Sequence, residues 1–171
     1  VEINNEQNFD FGSSSFSISL WFKSDPVESE GLVVFWKSDY PIQAYNNFFY
    51  CLNVNPSNVE FNSNADPHPG THRVTAEVEV DDGSWHHIIA IRDDADLKLI
   101  IDGNETVAAG AWNTSRSTDN DGALRFGSAS YVPGSFPNHI IDEVSVWNEA
   151  ISYEQVFQGI DNPSSFNSEL V

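Results

Sequence analysis

Residues 82–104 read DGSWHHIIAIRDDADLKLIIDGN, and this stretch decides the fold. Two apolar runs, 85–92 and 97–101, are too short for helices and are joined by a polar DDAD connection. Asp82-Gly83 before them and Asp102-Gly103-Asn104 after them are residues that accept the backbone of tight hairpin turns. The pattern predicts neighbouring antiparallel strands, with Asp93, Asp94 and Asp96 as solvated residues of their connection.

The same grammar extends in both directions. Further strands are predicted at 16–23, 31–36, 48–54, 58–61, 73–80, 105–109, 123–126 and 140–147, separated by Gly, Pro, Asn, Asp and Ser clusters. No strand–helix–strand alternation is present, so the expected class is all-β, a two-sheet antiparallel sandwich. One short helix is predicted at 152–158, where Ser152 and Gln155 have capping-box spacing and Gly159 can end it. Residues 1–160 then make one domain, and 161–171 read as a terminal segment or linker.

Seven basic residues stand against twenty-six acidic ones, a formal charge of -19 spread along the chain. Such a field repels phosphate backbones and anionic lipid, which argues against nucleic-acid and membrane-surface partners, and it favours cations. No apolar run approaches the ~20 residues that span a bilayer, so no membrane insertion is expected. Cys51 is the single cysteine, which excludes an intrachain disulfide and a thiolate zinc cluster. With no Met anywhere, the sequence looks like a segment of a longer polypeptide, expected as a monomeric module within it.

At the other end, HIIDEVSVWN at 139–148 places a carboxylate among core residues. Counted in twos, Ile140, Asp142, Val144 and Val146 share a strand face. A buried carboxylate needs a cation, a metal or several donors, so Asp142 marks either a structural polar knot or an ion site.

Together FSISLWFKSD at 16–25, the 82–104 stretch, ALRFGSAS at 123–130 and IIDEVSVWNEAIS at 140–152 resemble the laminin-G-like, concanavalin A-like jelly rolls. The resemblance covers most of the chain. It implies a jelly-roll sandwich used by lectins, adhesin domains, carbohydrate-binding modules and accessory domains of glycosidases. Family members usually carry an additional strand before the segment resembling 1–7. The resemblance also implies a structural calcium held by Asp142 with oxygens of the N-terminal segment, for which Asn4, Asn5 and Asp10 are candidates, because calcium takes six to eight oxygens. In this family the WHH string is a fold signature.

Independently, the loop STDNDG at 117–122 offers Asp119, Asn120 and Asp121 as hard oxygen ligands, or simply a polar turn. Glu77, Glu79 and Asp81 alternate with valines, so a strand there would carry three acids on one face. This is the enzyme alternative, a glycoside hydrolase or lyase, and a water-facing acidic strand is the preferred reading because the acids lack contrasting environments. His86 and His87 are successive strand residues facing opposite ways and cannot chelate together. Trp21, Trp85 and Trp147 are read as packing residues.

Ligand contacts are expected on the longer loops, which a rigid sandwich positions. The candidates are Asp39, Tyr40 and Tyr45 in 38–47, His68 in 62–72, Trp112, and Tyr131 and Asn138 in 127–139. Aromatic rings stack on sugar faces, while Asp and Asn fix hydroxyls. The expectation is a non-catalytic, calcium-stabilised, secreted or cell-surface module that recognises a carbohydrate, or a peptide, within an adhesin or polysaccharide-degrading protein. A structural spacer is the other alternative.

Overall fold

The computed structural model describes residues 1–3, 5–26, 31–38, 49–64, 72–111, 117–127 and 139–161. In chain order the strands are β1 (Glu2–Ile3), β2 (Phe16–Ser24), β3 (Leu32–Lys37), β4 (Phe49–Asn55), β5 (Asn58–Asn64), β6 (Arg73–Ala76), β7 (His86–Asp93), β8 (Asp96–Ile101), β9 (Asn104–Ala108), β10 (Leu124–Phe126) and β11 (His139–Trp147). A 3-10 turn at Glu6–Phe9 precedes β2, and the helix α1 (Tyr153–Asp161) follows β11. All strand pairs are antiparallel, in a six-stranded sheet ordered β1-β10-β3-β4-β5-β6 and a five-stranded sheet ordered β11-β2-β7-β8-β9. This is the antiparallel sandwich that the turn and strand pattern predicts, and the jelly roll that the family resemblance implies.

Period-2 alternation fills the space between the sheets. Phe16, Ile18, Leu20 and Phe22 of β2 meet Phe35, Tyr50, Leu52, Val54 and Phe61 of the opposite sheet in one buried cluster. Phe11 stacks on Phe16 at 4.5 Å between ring centroids, and the Tyr50 hydroxyl donates to the Phe9 carbonyl at 3.0 Å. These contacts anchor the N-terminal loop to the core. Cys51 is buried, which pushes its thiol up to about 12, so it is an unreactive strand residue.

The β7–β8–β9 meander follows 82–104 closely. Asp93 pairs with Asp96 across the first turn, where Asp94 takes a φ of 49°. Asp102 and Gly103, at φ 49° and 83°, make the second turn, a left-handed pair that an Asp-Gly sequence tolerates. Asp102 also accepts the His87 backbone N–H at 2.8 Å, locking the turn to the start of β7.

A second apolar layer lies outside the five-stranded sheet. Ile89, Ile91, Ile100 and Trp147 face outward and are covered by Ile151 and Val156. The helix begins on a full capping box: Gln155 N–H donates to Ser152 Oγ at 3.3 Å, and Ser152 N–H to Gln155 Oε1 at 2.8 Å. It runs through Gly159 to Asp161, so that glycine does not end it. Residues 162–171 lie outside the described residues.

Two expectations change. The strand predicted at 73–80 stops at Ala76, where the Val78 N–H turns back to the Ala76 carbonyl at 2.9 Å. Glu77 and Glu79 are exposed while Asp81 is buried, so the three acids do not share a strand face. Asp142 is exposed, not buried among aliphatics. The cause is a β-bulge: Asp142 pairs with Trp21 and Ser145 with Ser19, leaving Glu143 and Val144 opposite Leu20 alone. The extra residue shifts the alternation by one. Ile141 and Val146 pack on the core, and Ile140 and Val144 are 55% and 41% exposed.

Candidate functional site

The bulge builds a cleft. Trp21, Trp85, Asp142 and Glu143 line a cavity of about 360 Å³ on the outer face of the five-stranded sheet. Each residue arrives there for a local reason. Trp21 alternates out of β2 between the core residues Leu20 and Phe22. Asp142 stands beside it through direct β11–β2 pairing. Trp85 lies two residues before His87, the β7 residue that pairs with Trp21, and is 42% exposed. Glu143 occupies the bulge with φ 49°, and its N–H donates to Asp142 Oδ1 at 2.9 Å. A non-glycine residue held in that backbone region is a conformational cost that clusters at functional sites.

The floor beside the cleft is packed against α1. The Trp21 ring lies 5.1 Å from His87, which in turn packs at 5.1 Å on Phe157 and 6.0 Å on Tyr153 of α1. His87 Nε2 is 2.9 Å from Ser19 Oγ in a buried contact. Burial holds the His87 imidazole below its ordinary value, with Asp102 partly offsetting it, so the ring is neutral at pH 7. Its neighbour faces the other way, as the strand alternation predicts. Burial also pulls His86 down, but Asp102 at 2.7 Å and Asp82 at 3.1 Å outweigh it and hold the ring above its ordinary value.

Two indole faces beside two carboxylates can stack on the apolar face of a sugar ring and accept hydrogen bonds from its hydroxyls. Acid/base chemistry wants one carboxyl in an apolar setting and another solvated. Asp142 and Glu143 are both exposed and lack that contrast. The Glu77, Glu79 and Asp81 set does not assemble either.

Asp39, Tyr40, Tyr45, His68, Trp112, Tyr131 and Asn138 lie outside the described residues. Trp147 packs under α1 as expected, whereas Trp21 and Trp85 are cleft residues. The sequence expects two metal positions, one at Asp142 with Asn4, Asn5 and Asp10 and one in the loop of Asp119, Asn120 and Asp121, and Asn4 lies outside the described residues. Asp142 is on the outer sheet face beside Trp21, and Asn5 and Asp121 are exposed. Asp119 Oδ1 accepts the Gly12 N–H at 2.6 Å, and Asp10 pairs with the Lys37 ammonium at 2.8 Å. No group of three or more His, Cys, Asp or Glu that could hold a metal ion occurs among the described residues.

Sequence reasoning missed the cleft because a bulge leaves no periodic trace. The available signal was the return of Trp21 and Trp85 to one face once β2 and β7 are paired through Trp21 and His87.

Two antiparallel sheets closed over one core define a jelly-roll sandwich. The chain belongs to the laminin-G family of the concanavalin A-like lectin/glucanases superfamily, whose family model matches residues 1–157. No curated protein matches the sequence.

Among solved structures, domains LG4-5 of the mouse laminin alpha1 chain are similar with a TM-score of 0.55 and 19% identity, over 84% of this chain and 40% of that one. Botulinum neurotoxin type C, which interacts with two ganglioside molecules, gives a TM-score of 0.62 and 12% identity, over 90% and 37%. The heptameric SAP-like pentraxin of Limulus polyphemus gives 0.59 and 13%, over 85% and 69%. The chain thus spans well under half the length of the laminin and toxin chains, and these identities carry the fold alone. No helix among the described residues is long and apolar enough to cross a membrane.

Proposed function

We propose that the chain is a non-catalytic carbohydrate-binding module whose ligand seats on Trp21 and Trp85 and is oriented by Asp142 and Glu143. The observation that carries this is the half-exposed Trp85 indole at the rim of a cleft with two unburied carboxylates. A large exposed ring beside hydroxyl-seeking oxygens suits a pyranose face better than an apolar core does. With a chain charge of -19 and two carboxylates in the cleft, neutral glycans are the favoured class and sulfated or sialylated ones are repelled. Ganglioside interaction by a toxin of the same fold supports glycan recognition as a use of such a sandwich, although gangliosides are sialylated and the acidic cleft here favours neutral glycans.

The setting that fits is a secreted or cell-surface polypeptide, an adhesin or polysaccharide-active protein, with this module as a monomeric unit. A glycan array read with the purified chain tests the reading: hits among neutral oligosaccharides that disappear in Trp85→Ala support it. An array with no glycan hit, alongside binding to a peptide array, would replace it with peptide recognition.

A further inference from the structure

The outward faces of β2 and β11 continue past the cleft to Lys23 and Ile140. These two are direct partners across the strands, two residues beyond the pair of Trp21 and Asp142. Phe22 between Trp21 and Lys23 is fully buried in the core, so both of its neighbours point outward. Two residues along a strand span about 6–7 Å, and direct partners hold their β-carbons about 4.5–5.5 Å apart. The antiparallel count that pairs Phe22 with His86 brings Trp85 level with Lys23. Lys23 and Ile140 thus form the next row beside the cleft.

Both side chains are out of keeping with the rest of the molecule. Seven basic residues share the chain with twenty-six acids. Lys37 pairs with Asp10, Arg73 with Glu60, Lys98 with Asp93 and Arg125 with Glu2, while Arg92 is bonded to main-chain carbonyls. Lys23, half-buried, is the basic side chain among the described residues without an ion pair or hydrogen bond of its own. Ile140, at 55%, is the most exposed large apolar side chain after Val1 among the described residues.

We infer that the neutral glycan of this cleft carries an N-acetamido sugar, its ring on Trp21 and Trp85 and its acetamido group on Asp142, Lys23 and Ile140. An acetamido group offers one N–H donor, one carbonyl acceptor and one methyl. An ionised carboxylate only accepts, and an ammonium only donates. Asp142 Oδ1 already accepts the Glu143 N–H at 2.9 Å, which leaves Oδ2 for the ligand N–H. Lys23 donates to the carbonyl, and Ile140 beside it covers the methyl.

Other substituents match fewer of the three. A hydroxyl leaves Ile140 in water, a free amine meets the Lys23 ammonium, and an acidic group meets Asp142 and Glu143. This inference rests on the glycan reading of the cleft and names its sugar class.

The test titrates two pairs of neutral sugars that differ only in the acetamido group: triacetylchitotriose against cellotriose, and methyl N-acetyl-galactosaminide against methyl galactoside. Calorimetry and tryptophan emission read the affinities. In at least one pair the acetylated sugar should bind about 10-fold more tightly, the worth of one hydrogen bond to a charged group. Lys23→Met and Ile140→Ser should each shrink that preference to about threefold or less, with the affinity for the plain sugar and the melting temperature unchanged.

Equal affinity within both pairs, or a preference that survives Lys23→Met intact, would overturn the assignment. If that equal binding still disappears in Trp85→Ala, the indole platform stands and only the acetamido class falls. Binding of none of the four sugars by the unaltered chain removes both.

Discussion

Replacing Arg92 by Leu should unfasten the loops that close one end of the sandwich. Its guanidinium is fully buried on the core side of β7, 4.8 Å from the centroid of Phe16. It donates to the carbonyls of Phe11 at 3.3 Å, Gly12 at 2.9 Å and Ser14 at 2.8 Å, and to Thr118 Oγ1 at 3.1 Å. Desolvation lowers its value to about 10, so it stays charged at neutral pH.

Four charge-assisted bonds at roughly 1.5–3 kcal/mol would overcount, since neighbours in one network do not add. The Gly12 and Ser14 contacts are only part-buried, and water can take over those carbonyls. The Phe11 and Thr118 contacts are buried and keep the full cost, which gives about 3–5 kcal/mol. For a domain of this size that lowers the melting temperature by roughly 10 °C. Urea unfolding followed by tryptophan emission, with calorimetry as a second probe, measures it. A loss below ~1 kcal/mol would refute the reasoning that one guanidinium holds both loops.

Other consequences follow from the same contacts. His86 is held above its ordinary value, so its contribution is complete below pH 6.5 and is lost as pH rises through the higher folded value; Asp102→Asn should reduce this high-side slope in pH-dependent urea melts, and an unchanged slope would contradict it. His87 is held below its ordinary value, so stability falls as pH drops below 6.5 and the unfolded chain takes the proton first; His87→Gln should flatten that low side in pH-dependent urea melts, and an unchanged slope would contradict it. Ser152→Ala removes the capping bond and should cost about 1 kcal/mol, with a red shift of Trp21 emission as α1 loosens over His87. Glu77→Gln and Glu79→Gln should leave glycan binding unchanged on the same array, because neither lines the cleft.

Much of the sandwich is legible locally. The 82–104 stretch carries its own punctuation, and the β7, β8 and β9 boundaries lie within a residue of the apolar runs. Ser152 and Gln155 announce the helix because a capping box is a contact within four residues. Its end was misplaced, since Gly159 is compatible with a short helix that continues.

The site was legible only in part. Period-2 counting through 140–147 put Asp142 on the core face, and a bulge at Glu143 and Val144 undid the count. Such an insertion is set by how β11 pairs with β2, a long-range fact that no residue spacing within β11 records. Trp85 was assigned to packing for a related reason: its exposure depends on lying just before β7. The buried cation Lys37, which pairs with Asp10, carried no signal in an otherwise apolar strand.

The central claim is that Trp21 and Trp85 form a glycan platform. Calorimetric titration of neutral oligosaccharides into the unaltered chain and into Trp85→Ala tests it most directly, with the melting temperature of both recorded. The account predicts binding by the unaltered chain, weakened about 30-fold or ~2 kcal/mol in Trp85→Ala at an unchanged melting temperature. Equal affinity in the two proteins would contradict it and move recognition away from this face.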